Sequence, residues 1–207
     1  MIIKEAGRLN HIKEYYFSKK LREIHQMKLQ GKEVINLGIG NPDQNPGEEV
    51  IEVLQKEVAK SGVHGYQSYK GIPELRTAMA TWYEKSFNVS LEPEKEVLPL
   101  IGSKEGIMHI AMSFLNPGDQ VLVPNPGYPA YASASSLAGA DILKYDLIES
   151  NNYYPDLGLL ESKDLSNVKI MWINYPHMPT GTPPSKLHFE RLVAFARKNQ
   201  ILLVQDN

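Results

Sequence analysis

From residue 97 onward, short apolar runs alternate with segments of helical spacing, and this alternation is what most narrows the folds open to the chain. Residues 97–101, 120–123, 141–147, 169–173 and 201–205 read as strands. Between them Ile107, Ile110, Ala111, Phe114 and Leu115, then the small residues of 131–138, then Phe189, Leu192, Val193 and Ala196 recur at helical intervals. Near-continuous apolar strands separated by helices belong to a sheet covered on both faces. The expected fold is therefore α/β, a three-layer α/β/α arrangement with a mainly parallel sheet.

The remaining segments are less regular. Residues 11–29, with Ile12, Tyr15, Tyr16, Leu21, Ile24 and Met27, suggest a partly amphipathic helix closed by Gly31. Residues 34–40 read as a short strand turned by Asn41, Pro42 and Asp43, and Val50, Ile51, Leu54 and Val58 line a helix over 48–60. A loop over 65–76 leads, through Pro73 in a first helical turn, to a helix whose apolar stripe is Leu75, Met79, Trp82 and Tyr83. Residues 148–166 read as a surface excursion containing a short helix.

Composition narrows function more than fold. At 207 residues, 42% hydrophobic and 22% charged, the chain is ordinary globular material, enough for one large domain or one domain with an appendage. A net charge of −2 with both signs interspersed supplies no field for nucleic acid and no polybasic patch for a membrane, so a small-molecule partner is expected. The absence of cysteine excludes disulfides and thiolate chemistry and is compatible with a cytoplasmic location. The opening Met-Ile-Ile-Lys-Glu does not read as a signal peptide, since no long apolar core follows it, and no apolar run reaches the roughly 18 residues of a membrane span.

Polar residues cluster where the expected strands end, which is where open α/β sheets bind ligands. Gly102, Ser103, Lys104, Glu105 and Gly106 form a glycine turn opening a helix, an anion site by virtue of free backbone N–H groups and the helix dipole. Ser103 can cap that helix, donate to a phosphate, or both. Prolines at 124, 126 and 129 stiffen the loop carrying Tyr128, whose ring suits either stacking on a flat heteroaromatic group or core packing. The run 169–173 stops at Asn174 and enters a loop bearing Pro176, His177, Met178, Pro179, Thr180 and Gly181. Asp206 at the last strand end can cap a turn or present a carboxylate.

Taken in order, the segments at 102–106, 124–131, 174–181 and 204–206 resemble those of fold-type I pyridoxal-phosphate aminotransferases, the class I/II family. The resemblance implies a phosphate cup at Ser103 and Lys104, with Tyr128 covering the pyridine face and Tyr131 the second tyrosine of that segment. It also implies that Asn174 and Met178 lie beside pyridoxal 5′-phosphate and that Asp206 pairs with the protonated ring nitrogen, which lets the ring act as an electron sink. Gly40, in a Gly-x-Pro-Asp-like turn, would lie beside the substrate carboxylate. Tyr66, preceding Gly71-x-Pro-x-Leu-Arg76, would reach the phosphate of a neighbouring subunit in a homodimer. No metal ligand set is assigned.

Two departures qualify the resemblance. Met178 stands where the family has an asparagine and cannot donate to the cofactor's phenolic oxygen; Asn174 and His177 are the nearby candidates for that contact. The sequence reaches Asn207 about where the family is half traversed, and no lysine here matches the Schiff-base lysine. The expected function is transamination between an amino acid and a 2-oxo acid, with this chain as the amino-terminal half of a longer enzyme and inactive alone. The alternatives are another fold-type I activity, a β-lyase or decarboxylase, and a non-catalytic fragment retaining a cofactor-like pocket. Residues 1–45 would form an arm and part of a small domain, and residues 46–207 an incomplete cofactor-binding large domain.

Overall fold

The computed structural model describes residues 3–11, 14, 16–38, 40 and 42–207. In chain order its regular elements are α1 (Tyr16–Leu29), α2 (Glu48–Val58), α3 (Pro73–Phe87), α4 (Ser103–Phe114), β1 (Gln120–Asn125), α5 (Pro129–Leu137), β2 (Asp141–Asp146), α6 (Leu157–Glu161), β3 (Val168–Ile173), α7 (Lys186–Lys198) and β4 (Leu202–Gln205). Single 3-10 turns lie at Gly7–His11 and Glu149–Asn151. Two compact units result, Met1–Ile12 with Leu100–Asn207, and Lys13–Pro99.

The first unit is built on a four-stranded sheet in the order β2-β1-β3-β4, parallel throughout. Successive side chains on a strand point to opposite faces, and this sorts the core. Val121, Val123, Ile170 and Trp172 join Ile107, Ala111 and Leu115 of α4 and its extension and Tyr131 and Ala134 of α5. Leu122, Met171 and Ile173 join Leu192 and Phe195 of α7 on the other face, with Tyr145, Tyr154, Leu160 and Leu165. Helices thus cover both faces, as the strand and helix alternation implies.

Several local expectations change once neighbours are in place. Residues 97–101 form no strand, and Ile101 is 99% exposed. An apolar run becomes a strand only with a ladder partner for its N–H and C=O groups, and among the described residues 97–101 have none. The described residues of 34–40 likewise form no strand, with Ile35 and Leu37 exposed; Ile39 lies outside the described residues. β4 is an edge strand rather than a buried one, with Leu202 and Gln205 exposed. The excursion 148–166 is not a surface feature alone, since Tyr154, Leu160 and Leu165 enter the core. On α7, Phe195 is buried and Val193 exposed; Phe114 at the end of α4 is exposed, and Leu115 just beyond it is buried. Ile12 and Tyr15, assigned to the first helix, lie outside the described residues.

The second unit contains α1, α2 and α3. The expected stripe of α3 is not its buried side: Leu75, Trp82 and Tyr83 are exposed, and the helix buries Ala80 and Arg76 instead. Arg76 is 3% exposed because its guanidinium closes the preceding loop. It donates to the Lys70, Gly71 and Pro93 carbonyls at 3.1, 2.6 and 3.1 Å and pairs with Glu94. Five fixed N–H donors allow one side chain to satisfy four acceptors at once, which a lysine could not do.

Candidate functional site

Because the sheet is parallel, the segments leaving β1, β3 and β4 emerge at one edge of it. The helix start of α4 reaches the same edge, with Lys104 Nζ 5.8 Å from the centre of the Tyr128 ring. The loop between β1 and Tyr128 is tightly folded: a Cβ on Gly127 would meet the Pro124 carbonyl oxygen at 2.5 Å. Only glycine fits there, and Tyr128 is presented by that turn at the N-cap of α5.

Gly102, not Ser103, occupies the N-cap of α4, and no side chain caps the helix. Ser103 is the first helical residue, so its hydroxyl is not used in capping as the sequence allowed. The first amides of a helix lack intrahelical acceptors and sit at the positive end of the dipole, an anion-receptive arrangement. Glu105 braces this turn from the side: its Oε2 accepts from the Ile101 amide at 2.8 Å, and its own N–H donates to Gly102 at 3.0 Å. A Cβ on Gly106 would lie 2.7 Å from Leu100 Cδ1, so the absence of a side chain there lets the approach segment close against the helix.

The exits of β3 and β4 are bonded into one piece. The Asp206 amide donates to the Ile173 carbonyl at 3.0 Å, and Gln205 Nε2 donates to the Tyr175 carbonyl at 2.8 Å. Asn174 joins both sides: its Nδ2 donates to the Asp206 carbonyl and its Oδ1 accepts from the Met178 amide at 2.8 Å. The buried Asn174 amide is thus engaged at both ends within the protein. His177 is buried, its Nδ1 paired with Thr180 Oγ1 at 2.8 Å and its amide donating to the Thr182 carbonyl at 2.8 Å. Burial pushes the His177 pKa below the ordinary histidine range, opposed by the Pro126 carbonyl beside it. Gly181, at φ +75°, supplies the left-handed residue that turns this loop back. Met178 is 56% exposed.

The Asp206 carboxylate has a partner that spacing did not disclose. Tyr131 Oη donates to Asp206 Oδ2 at 2.7 Å from a fully buried ring stacked on Trp172, centroids 5.1 Å apart and planes 7° from parallel. Tyr128 meets the edge of that ring at 5.6 Å. The available signal was the three-residue spacing between the tyrosines across the first turn of α5, which puts them on neighbouring faces. Asp206 Oδ1 receives no hydrogen bond from any described residue.

Ser103, Lys104, Tyr128, Asn174, Met178 and Asp206 therefore belong to the first unit, whereas Gly40 and Tyr66 belong to the second. Tyr66 is 89% exposed with its ring edge-on to Tyr69 at 6.5 Å, and among the described residues nothing lies within 4 Å of a Cβ built on Gly40. Among the described residues no cluster of histidine and acidic side chains could hold a metal ion, and no helix is long and apolar enough to cross a membrane.

Comparison with known proteins gives this arrangement relatives. The family model for aminotransferase class I and II matches residues 32–207. An LL-diaminopimelate aminotransferase of Dehalococcoides mccartyi is 42% identical over 204 residues, 99% of this chain and 53% of the relative. That of Desulforudis audaxviator is 44% identical over 98% of this chain and 52% of its own. Among solved structures, BacF from Bacillus subtilis superposes with a TM-score of 0.92 at 34% identity, over 99% of this chain and 52% of that one. A Thermus thermophilus aspartate aminotransferase variant gives 0.90 at 25% identity, over 99% and 53%. The chain spans about half the length of the curated relatives it matches. With the family's segments gathered at one sheet edge and its model matching most of the sequence, this chain belongs to the class I and II aminotransferases.

Proposed function

We propose that this chain is the cofactor-holding part of an enzyme that transfers the amino group of an amino acid to a 2-oxo acid by means of pyridoxal 5′-phosphate. The single observation behind this is the convergence, at one sheet edge, of the α4 helix start and the Asp206 carboxylate. The residues suit a phosphorylated pyridine. A helix start with a serine at its first position favours a phosphate, the Tyr128 ring beside it favours a flat aromatic, and Asp206 Oδ1 receives no donor from the described residues.

When bound, the cofactor supplies an electron sink for the charge left when a substrate Cα–H bond ionises. In this reading Ser103 and the first α4 amides hold the phosphate, with Lys104 adding positive charge. Tyr128 would offer its ring face to stack on the cofactor ring. Asp206 places a negative charge where a protonated ring nitrogen needs one. Asn174 ties the backbones of Asp206 and Met178 together, which uses its carbonyl oxygen and one of its two N–H donors; the second N–H is the one that would serve the phenolic oxygen. Gly40 would leave room for the substrate carboxylate.

Residues 1–45 as an arm with part of a small domain, and residues 46–207 as part of the large domain, complete the proposal, together with a cytoplasmic homodimer in which Tyr66 serves the partner's site. The name shared by the relatives makes LL-diaminopimelate the first amino donor to test. The protein as its gene encodes it is titrated with pyridoxal 5′-phosphate by absorbance and tyrosine fluorescence, then assayed with a panel of amino donors and 2-oxo acids. Saturable binding and amino transfer are expected; a protein that binds no cofactor refutes the proposal.

A further inference from the structure

Asp206 is held at three points. Its amide donates to Ile173, its carbonyl accepts from Asn174, and its Oδ2 accepts from Tyr131. The first two fix its backbone to the β3 exit and belong to the sheet edge. The third fixes the carboxylate itself and comes from a different layer, 75 residues earlier in the chain. Tyr131 is poorly placed to do anything else. Its ring is fully buried between Trp172 and Tyr128, so it has no surface for a ligand. Burial first, and the Asp206 carboxylate second, push its phenol well above the ordinary tyrosine range, so it remains a donor through neutral pH.

A carboxylate on a half-buried strand end rotates about its last torsion unless something holds it. With Tyr131 bonded to Oδ2, that torsion is set before any ligand arrives, and among the described residues Oδ1 is the oxygen left over. We infer that Tyr131 is a positioning residue, which orients the Asp206 carboxylate so that one oxygen is presented to the ring nitrogen of a bound pyridine cofactor. The parallel stack on Trp172 holds the phenol in place, so β3, α5 and the β4 exit cooperate in aiming one oxygen atom. This rests on the cofactor assignment of the preceding section and adds a residue to it.

The test uses pyridoxamine 5′-phosphate labelled with ¹⁵N in the ring, because this form binds without needing a covalent attachment. The protein as its gene encodes it is compared with Tyr131→Phe, Asp206→Asn and the double variant at one pH, reading the dissociation constant and the ring ¹⁵N shift. Tyr131→Phe keeps the buried ring and its stack on Trp172, and thermal unfolding verifies that it folds. The expectation is about tenfold weaker binding, the value of one hydrogen bond to a charged group, with the ¹⁵N shift moved toward that of the unprotonated ring. Adding Tyr131→Phe to Asp206→Asn should change neither quantity further. Failure of the unsubstituted protein to bind the probe overturns the cofactor assignment itself. Binding that depends on Asp206 but not on Tyr131 overturns only the positioning role. So does an effect of Tyr131→Phe that adds in full to Asp206→Asn, because a purely structural loss would not act through the carboxylate.

Discussion

Replacing Asp206 by asparagine separates the charge of this side chain from its shape. Asparagine retains an oxygen that can accept the Tyr131 hydroxyl now 2.7 Å from Oδ2, and both backbone bonds of residue 206 are untouched. The structural cost is the difference between a charge-assisted and a neutral hydrogen bond, about 1 kcal/mol. The chemical cost is larger. An opposite charge within hydrogen-bonding distance of a titrating group shifts its pKa by about 1–3 units, and Asp206 is half-buried, so solvent screening favours the lower part of that range. At about 1.4 kcal/mol per unit, the variant should hold the cofactor ring proton roughly ten- to a hundredfold less well. Phosphate binding at α4 should be nearly unaffected. Single-turnover absorbance with an α-deuterated amino acid measures the step concerned, since the isotope effect reports removal of that proton. A slower step with a retained isotope effect, beside a near-parental unfolding midpoint, is the expected pair of results. A parental rate would mean that Asp206 is only a strand-end residue and that its assignment is wrong.

Ser103→Ala should weaken phosphate-bearing ligands by about 1.5–3 kcal/mol, one hydrogen bond to a charged group, yet leave the melting temperature unchanged, because Ser103 does not cap α4; equal affinity in a binding titration would count against the cup. Leu160→Ala should cost about 2–5 kcal/mol in urea unfolding, while its exposed neighbour Leu159→Ala should cost less than about 0.5 kcal/mol; similar values for the two would deny that the 148–166 excursion is part of the core. The depressed His177 pKa means that the fold favours the neutral ring, so its contribution to stability is complete above the unfolded value of about 6.5 and declines as pH falls below it. A urea midpoint that drops between pH 7.5 and 5.5, and drops less in His177→Asn, is expected; an identical drop in both would assign the effect elsewhere. If Tyr66 serves the partner's site, hybrids of Tyr66→Phe and Asp206→Asn subunits should recover activity, and verified hybrid dimers with none would place Tyr66 outside the neighbouring site.

The alternation of apolar runs with helical spacing was sufficient to indicate a parallel, two-sided sheet, because whether a side chain faces a core depends on periodicity along a few consecutive residues. For the same reason the polar segments at 102–106, 124–131 and 174–181 and Asp206 were legible: each lies where an apolar run stops, and glycine and proline restrict the backbone there. Other features required the neighbours. Residues 97–101 have strand composition but no described ladder partner, and the choice between Val193 and Phe195 as the buried side of α7 depended on what packs against it. Arg76 looks like a surface charge in sequence and is buried because four acceptors from 70–71 and 93–94 surround it. The Tyr131 to Asp206 bond lies furthest from sequence view. No local pattern relates residues 75 positions apart, and only the stacking of α5 on β3 beside β4 decides that a phenol and a carboxylate meet.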